Sequence, residues 1–577
     1  MESLIILKLL LFIISSFGTW EYIRRRSNVE VTFAPVLTIG IQISVLYVAG
    51  ILNLLKFATY GMYGFGLVCA FYYVWKDRTT ILKRYLSEVG IQYLLVAVVL
   101  VCIALWNRVF NSYDNFSHWA LVVQQMLQTN RFPNFVDNLI MFQQYPLGSS
   151  IYIYYFSKLV GKEEFVQMVA QTFMLIVSIA PILKFRLNRF VVIGLAVVFS
   201  NFIFCYCIQI QDLLVDTLLP LLSMAAIFFM CSECMKSGSE KRVSVYWLIP
   251  LFVAIVQVKN SGVFFLAVAG VMMLMYSKRY ALPWKQIVCF WTIPLISIYL
   301  WKRHCALVFV NASVSKHAMS LSNYKHTFLN KSHDDVVLIV KKMFDFSFTG
   351  NDLFYCVLFA CVAVLLAWFA HSHGRRLIGK FIAFVSVSYL TYMLGMLIMY
   401  LVSMPGGEAT SLASSFRYRE TILIAFYYAS FALMLYSISS FDKRGKKICG
   451  SLLVLFVIVC SWTYGHFKGY RTIFNGATSP VNLWMRSLVQ NGKVVKNSSY
   501  LVCIPRTDWG YVHYLGRYLF ASLRTDGRVI QSLADMKDAG NFHYLLIVDH
   551  DNQIVKDWIA QHYPTQIGKD VIDLTLK

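Results

Sequence analysis

Charge is what this chain has least of. Only 14% of its 577 residues are Asp, Glu, Lys or Arg, while 58% are hydrophobic. That composition excludes a water-soluble protein of this size and places the chain among polytopic membrane proteins. Acidic residues are the scarcer sign, 29 against 52 basic ones, which leaves a formal net charge of +23. The excess does not mark a nucleic-acid partner. Its Lys and Arg residues cluster in short loops between apolar runs, the positive-inside pattern of membrane topology. A second cysteine pair is also missing. Cys231 and Cys234 stand alone, and most of the thirteen cysteines lie within apolar runs, where Cys acts as a small hydrophobe. The chain has no glycine-rich phosphate loop, no repeat of solenoid period and no low-complexity tract. A cleavable leader is not expected either. The first apolar run, Leu4 to Trp20, is followed by Glu21 and Arg24–Arg26 and reads as a retained span.

What is present is a series of apolar runs long enough to cross a bilayer. They fall at about 3–22, 33–52, 57–75, 88–107, 164–183, 190–208, 216–234, 244–258, 261–277, 285–302, 353–370, 377–402, 420–440 and 448–465. The basic loops are Arg24–Arg26, Lys76 to Arg84, Lys184 to Arg189, Lys236 to Arg242, Lys278-Arg279, Arg375-Arg376 and Lys443 to Lys447. They follow every second span, which predicts about 14 transmembrane helices, cytoplasmic basic loops and both termini outside. Residues 149–160 break the charge alternation if counted as a span, so they are expected to be re-entrant or packed at the interface.

Three domains follow. Residues 1–87 are additional N-terminal transmembrane helices. Residues 88–474 form the main membrane domain, with outer loops 108–163, 303–352 and 403–419; the second loop carries Lys316-His317 and Tyr324-Lys325-His326. Residues 475–577 are polar enough for a soluble outer domain. In it, Tyr500 to Pro505 and Tyr544 to Asp549 suit buried strands, and helical patterns lie near 512–523, 531–538 and 552–562. Strands alternating with helices predict a small α/β domain with a parallel sheet. The fold class is therefore an all-α polytopic membrane protein carrying a small extracytoplasmic α/β domain.

Chemistry-bearing residues gather between Tyr113 and Pro146. Asp114 lies just beyond the fourth span, where desolvation makes a carboxylate a stronger base. His118 is one helical turn on. An equally open reading makes Asp114 the N-cap of a helix over 116–127, with Ser117 as a competing cap. That helix is apolar along Phe116, Ala120, Val123, Met126 and Leu127, which suits either the membrane interface or packing against spans. Tyr145-Pro146 reads as an ordinary turn or as a ring placed to stack on a sugar. Gln211, Asp212 and Asp216 lie at the outer ends of the sixth and seventh spans, and Lys259-Asn260 at the tip of a span hairpin. Polar groups at such depth are costly unless used or paired. Arg417-Tyr418-Arg419-Glu420 opens the thirteenth span, and the Arg fork suits a phosphate. Snorkelling to the interface is the alternative for Arg419 and Lys259.

At these residues the chain resembles the GT-C superfamily of integral-membrane glycosyltransferases, which use polyprenyl-phosphate sugars. The resemblance rests on Asp114 opening the first large outer loop, followed by His118 and Trp119; on Tyr145-Pro146; on Asp212-Leu213-Leu214 at a span end; on Arg417-Tyr418; and on the turn Lys259 to Gly262. It covers roughly residues 88 to 440. The chain departs from the family in two respects. Asn115 stands where many members have Glu, so the carboxylate pair is absent, and three extra spans precede the loop.

The resemblance implies a cell-membrane enzyme of envelope polysaccharide synthesis. It would move a sugar from a polyprenyl-phosphate donor to a glycan or lipid-linked acceptor at the outer face, by inversion. No metal is required, since positive side chains can do the phosphate work, and no cofactor is expected. Asp114 would be the base. His118, Trp119, Tyr145, Asp212, Lys259, Arg417 and Tyr418 would bind substrate. The rival readings are a lipid-linked polysaccharide polymerase, a lipid-saccharide flippase or transporter, and a structural membrane subunit.

Overall fold

The computed structural model describes residues 2–185, 188–204, 210–236, 243–280, 282–309, 321–370, 375–464 and 478–576. Lys316 and His317 lie outside the described residues, as does most of the basic loop from Lys236 to Arg242. All fourteen expected spans fall on helices. These are Glu2–Ser27, Ala34–Ile51, Leu55–Ser87, Val89–Leu105, Glu164–Ile179, Arg189–Phe204, Leu218–Met235, Ile249–Val258, Gly262–Tyr280, Trp284–Val308, Asn351–Ala370, Arg375–Val402, Ser415–Ser439 and Lys443–Tyr464.

A helix is not yet a crossing. Among the described residues, seven helices are long and apolar enough to cross a membrane, or eight if the pair Thr80–Ser87 and Val89–Leu105, bent by 80°, forms one span. Four others, Arg189–Phe204, Leu218–Glu233, Val245–Val258 and Gly262–Met275, are apolar but only 10–17 residues long. A hydrocarbon core of about 30 Å asks for about 20 residues at 1.5 Å each. The chain is thus a multi-pass, mostly helical membrane protein with a set of short helices in its middle.

Packing sorts the helices into an inner and an outer set. Every residue from Phe165 to Ile179 is buried, and so is nearly all of Thr421 to Ile438. Phe199 and Phe431 stack at 4.0 Å in this interior. Outer helices instead turn large apolar side chains outward, as Val387, Leu390, Leu394 and Ile398 do on Arg375–Val402. That is stable only against hydrocarbon. Two of the basic loops meet on one buried carboxylate. Glu21 accepts from Arg24 and from Arg25 at 2.6 Å each, and Tyr85 donates to it at 3.0 Å.

Residues 149–160 form the helix Gly148–Val160, buried almost throughout. Its thirteen residues are too few for a crossing, so it is packed inside the protein. Its first residue must be glycine, because a Cβ there would lie 2.6 Å from the backbone carbon of Gln257. That close approach sets the helix start against the end of Ile249–Val258, next to Lys259.

The C-terminal residues form a four-stranded sheet: β1 (Tyr500–Cys503), β2 (Thr525–Arg528), β3 (Tyr544–Ile547) and β4 (Val571–Asp573), in the order β2-β1-β3-β4. β1 pairs in parallel with β2 and with β3, while β4 adds antiparallel to β3. The helices Tyr511–Phe520 and Gln553–His562 follow β1 and β3, as expected. The expected helix near 531–538 is instead two short 3-10 turns, Leu533–Met536 and Ala539–Asn541.

Candidate active site

Five segments distant in sequence bring their polar residues to one end of the helix bundle. The first is the loop after Val89–Leu105. It enters a five-residue π-turn, Asn115–Trp119, that leads into the helix Ala120–Thr129. Such wide turns re-aim side chains and recur at functional sites. Here the turn separates two residues that a regular helix would align. Asp114 caps nothing with its side chain. Its Oδ2 accepts a hydrogen bond from Arg417 Nη1 at 2.7 Å. His118 turns the other way, 2% exposed, into a group of rings: Tyr145 at 5.1 Å, Trp119 at 4.8 Å and Phe142 at 5.9 Å. Neither of its ring nitrogens has a hydrogen-bond partner, and burial holds its pKa down at about 3. It is a neutral ring at physiological pH. The helix face Phe116, Ala120, Val123, Met126 and Leu127 is buried in protein, which decides for packing.

Arg417 is held by two carboxylates. Besides Asp114, its Nε lies 3.6 Å from Asp216 Oδ2. Asp216 also accepts from Lys259 Nζ at 2.6 Å. The Tyr418 ring sits against both cations, 5.0 Å from Lys259 Nζ and 5.6 Å from Arg417 Cζ. The result is a compact group of two cations, two carboxylates and one ring. The loop before Ser415–Ser439 fixes its shape. Leu412 and Ser414 are left-handed at φ 49° and 61°, a strain that ordinary residues avoid. Tyr400 holds this bend by donating to Ala413 O at 2.7 Å, and Tyr392 donates to Tyr418 O at 3.1 Å.

Asp212 joins from the side. Asn115 Nδ2 donates to Asp212 Oδ1, and Leu213 N donates to Asn115 Oδ1, both at 3.0 Å. Asn115 thus donates with its amide nitrogen and accepts with its amide oxygen, a two-way bond that an ionised carboxylate could not make. Burial, and after it the charge of Asp114, push the Asp212 carboxyl up to about 7. Its stability consequence has a definite sign. Between about pH 4 and about pH 7 the unfolded chain ionises this carboxyl while the folded protein keeps the proton. The wild-type protein is therefore expected to lose stability relative to Asp212→Asn as pH rises through that window, with a level difference above it. Melting curves across pH measure this, and a difference constant from pH 4 to 8 would contradict it.

Tyr145 connects the rings to the charges. It stacks on Phe142 at 5.0 Å, and its phenol, pushed up to about 12 mainly by burial, also feels Arg417, Asp114 and Asp216. Its backbone N–H closes a turn on Phe142 O at 3.0 Å, so Tyr145-Pro146 is a turn that also presents a ring.

The C-terminal region grips the Asp114 segment. Arg486 donates twice to Glu164, at 2.7 and 3.0 Å, and Glu164 accepts from Phe110 N at 2.6 Å. Tyr511 donates to Asn111 Oδ1 at 3.0 Å, and Phe116 packs against the rings of Tyr511 and Tyr518. Sequence reasoning singled out neither this grip nor the central place of Asp216. A lysine expected at a span tip needs a nearby acid, and that was the available signal for Asp216.

No family model matches the chain, and no curated protein matches it. Among solved structures it is similar to ArnT from Cupriavidus metallidurans. The apo form is 11% identical over 82% of this chain and 94% of the other, with a TM-score of 0.34. The form bound to undecaprenyl phosphate is 10% identical over 84% and 98%, with a TM-score of 0.37. Likeness at these scores carries no argument about function.

Proposed function

We propose that this protein is a GT-C-type membrane glycosyltransferase. It moves a sugar from a polyprenyl-phosphate donor to a hydroxyl of a glycan or lipid-linked acceptor in envelope polysaccharide synthesis. The observation that carries this reading is the pairing of Asp114 with Arg417, which Asp216 in turn ties to Lys259. A carboxylate base thereby stands beside a two-cation seat suited to a phosphate.

The lipid phosphate lies between Arg417 and Lys259, with Tyr418 between them. It draws the Arg417 fork from Asp114 and leaves that carboxylate to act. The acceptor oxygen attacks the anomeric carbon, the bond from that carbon to the phosphate oxygen breaks, and the acceptor proton passes to Asp114. The electron pair leaves on the lipid phosphate, where Arg417 and Lys259 stabilise it. A single displacement of this kind inverts the anomeric centre. Asp212 anchors the Asp114 loop through Asn115. Tyr145, backed by the buried rings of His118 and Trp119, orients sugar or acceptor. The displacement requires no metal, since Arg417 and Lys259 carry the phosphate charge.

The proposal includes the domain division 1–87, 88–474 and 475–577. It also includes about fourteen crossings of the cell membrane, some completed by short helices packed inside, with the site and both termini outside. Arg417→Ala is expected to lower transfer by about 10²–10³-fold and to weaken undecaprenyl phosphate binding, with the melting temperature nearly kept. Wild-type rates in that variant would sink the assignment.

A further inference from the structure

A cleft of about 380 Å³ lies between the helix Ala120–Thr129, the loop 136–140 and the C-terminal region. Its size is within the range of small-molecule sites, roughly 300–1,000 Å³. Two features set it apart from the charged group at Asp114. Among the described residues no Lys or Arg lines it, although the chain carries a net charge of +23. What lines it instead are the amides of Asn138 and Asn497, and that of Gln125, which donates to Asp137 Oδ1, over an apolar floor that includes Leu139 and Leu523. Asn138 and Asn497 are exposed and make no side-chain hydrogen bond among the described residues. The one acid, Asp137, is already neutralised, since Arg131 donates to its two oxygens at 2.7 and 3.2 Å.

We infer that this cleft seats a neutral saccharide, the non-reacting part of the acceptor. The inference rests on the glycosyltransferase reading for the word acceptor. The saccharide chemistry comes from the lining. Free amides donate and accept at once, as vicinal hydroxyls do. An apolar floor suits the C–H face of a sugar ring. The two cations nearest the lining are already engaged, Arg131 on the Asp137 carboxylate and Arg517 on Leu139 O, which disfavours a phosphate-rich polymer. Position agrees as well. Leu121, on the cleft wall, follows Asp114 by seven residues, through the π-turn Asn115–Trp119. The walls are tied together. Met141 N donates to Ser117 O at 3.1 Å, and Arg517 Nη1 donates to Leu139 O at 3.2 Å. The C-terminal region thus supplies one wall of a site, Asn497, Ala521 and Leu523, whose other walls belong to the segment that carries Asp114.

The test uses the full chain in lipid nanodiscs and reads equilibrium binding, with no donor and no turnover. The probes are neutral glucan, galactan, mannan and N-acetylated amino-sugar oligosaccharides, with glycerol-phosphate oligomers alongside. One neutral class is expected to bind. Asn138→Ala is expected to weaken it about three- to tenfold, the worth of one hydrogen bond, and Leu523→Trp to abolish it by filling the cleft. Arg417→Ala is expected to leave it unchanged. Binding by none of the neutral probes, binding unaffected by Leu523→Trp in a protein of wild-type melting temperature, or tighter binding of the glycerol-phosphate oligomers would overturn the inference. Undecaprenyl phosphate binding is read on the same samples. If that lipid fails to bind while saccharide does, the enzyme reading falls and the cleft stands; the converse removes the cleft alone.

Discussion

Asp114→Asn is expected to lower sugar transfer by about 10²–10⁴-fold, the usual worth of a positioned general base. The substitution removes a proton acceptor and little else. The amide oxygen can still accept from Arg417 Nη1, which now meets Asp114 Oδ2 at 2.7 Å. The Asp114 side chain is 18% exposed, so the amide enters no dry interior. The loss should therefore fall on kcat, with donor KM near its wild-type value, because Arg417 and Lys259 still hold the phosphate. Initial rates over a range of donor concentrations, with melting temperature as the folding control, decide this. A large rise in KM at unchanged kcat would assign Asp114 to binding instead of proton transfer.

Arg419→Met is expected to destabilise the protein by about 3–5 kcal/mol. Arg419 stands two residues from Arg417 but does different work. It is fully buried and grips Asp352 with two nitrogens, at 2.7 and 2.5 Å. It also donates to Phe346 O and to Thr349 O, and its Cζ lies 3.8 Å from the Phe346 ring centre. Gly350 makes room for the pair, since a Cβ there would lie 2.5 Å from Asp352 Oδ1 and 2.7 Å from Arg419 Nη2. Removing the guanidinium takes the two-nitrogen grip from a buried carboxylate, which costs far more than the pair contributes. Replacing both partners, Arg419→Met with Asp352→Leu, should recover most of the loss. Denaturant titration of the single and double variants measures both. Equal stability of Arg419→Met and wild type would mean that this side chain only snorkels.

Much of the frame was legible because membrane helices announce themselves locally. Each apolar run from 3–22 to 448–465 coincides with a helix, and the alternating basic loops put Asp114, Asp212, Lys259 and Arg417 on one side. The structure brings the same residues to one end of the bundle. Their pairing was not legible. Asp114 and Arg417 are 303 positions apart, and Asn115 and Asp212 are 97 apart, so no local pattern links them. The π-turn at Asn115–Trp119 was hidden because helical spacing predicts a common face for Asp114 and His118. The number of crossings was hidden for another reason. Apolar length cannot distinguish a short span from a short helix buried in protein, and Leu218–Met235 and Ile249–Val258 are of that kind. In the C-terminal sheet, β2 reads Thr-Asp-Gly-Arg, with no apolar alternation, because an edge strand is held mainly by backbone pairing with β1.

The central claim is sugar transfer from a polyprenyl-phosphate donor at the Asp114–Arg417 pair. Its most direct measurement is a product assay with the full chain in proteoliposomes, a labelled polyprenyl-phosphate sugar and an envelope glycan acceptor. The account predicts one sugar added per acceptor site and one equivalent of polyprenyl phosphate released, with both signals lost in Asp114→Asn and Arg417→Ala. Transfer at wild-type rate by those two variants would contradict it, as would extension by whole repeat units or movement of the lipid across the bilayer without transfer.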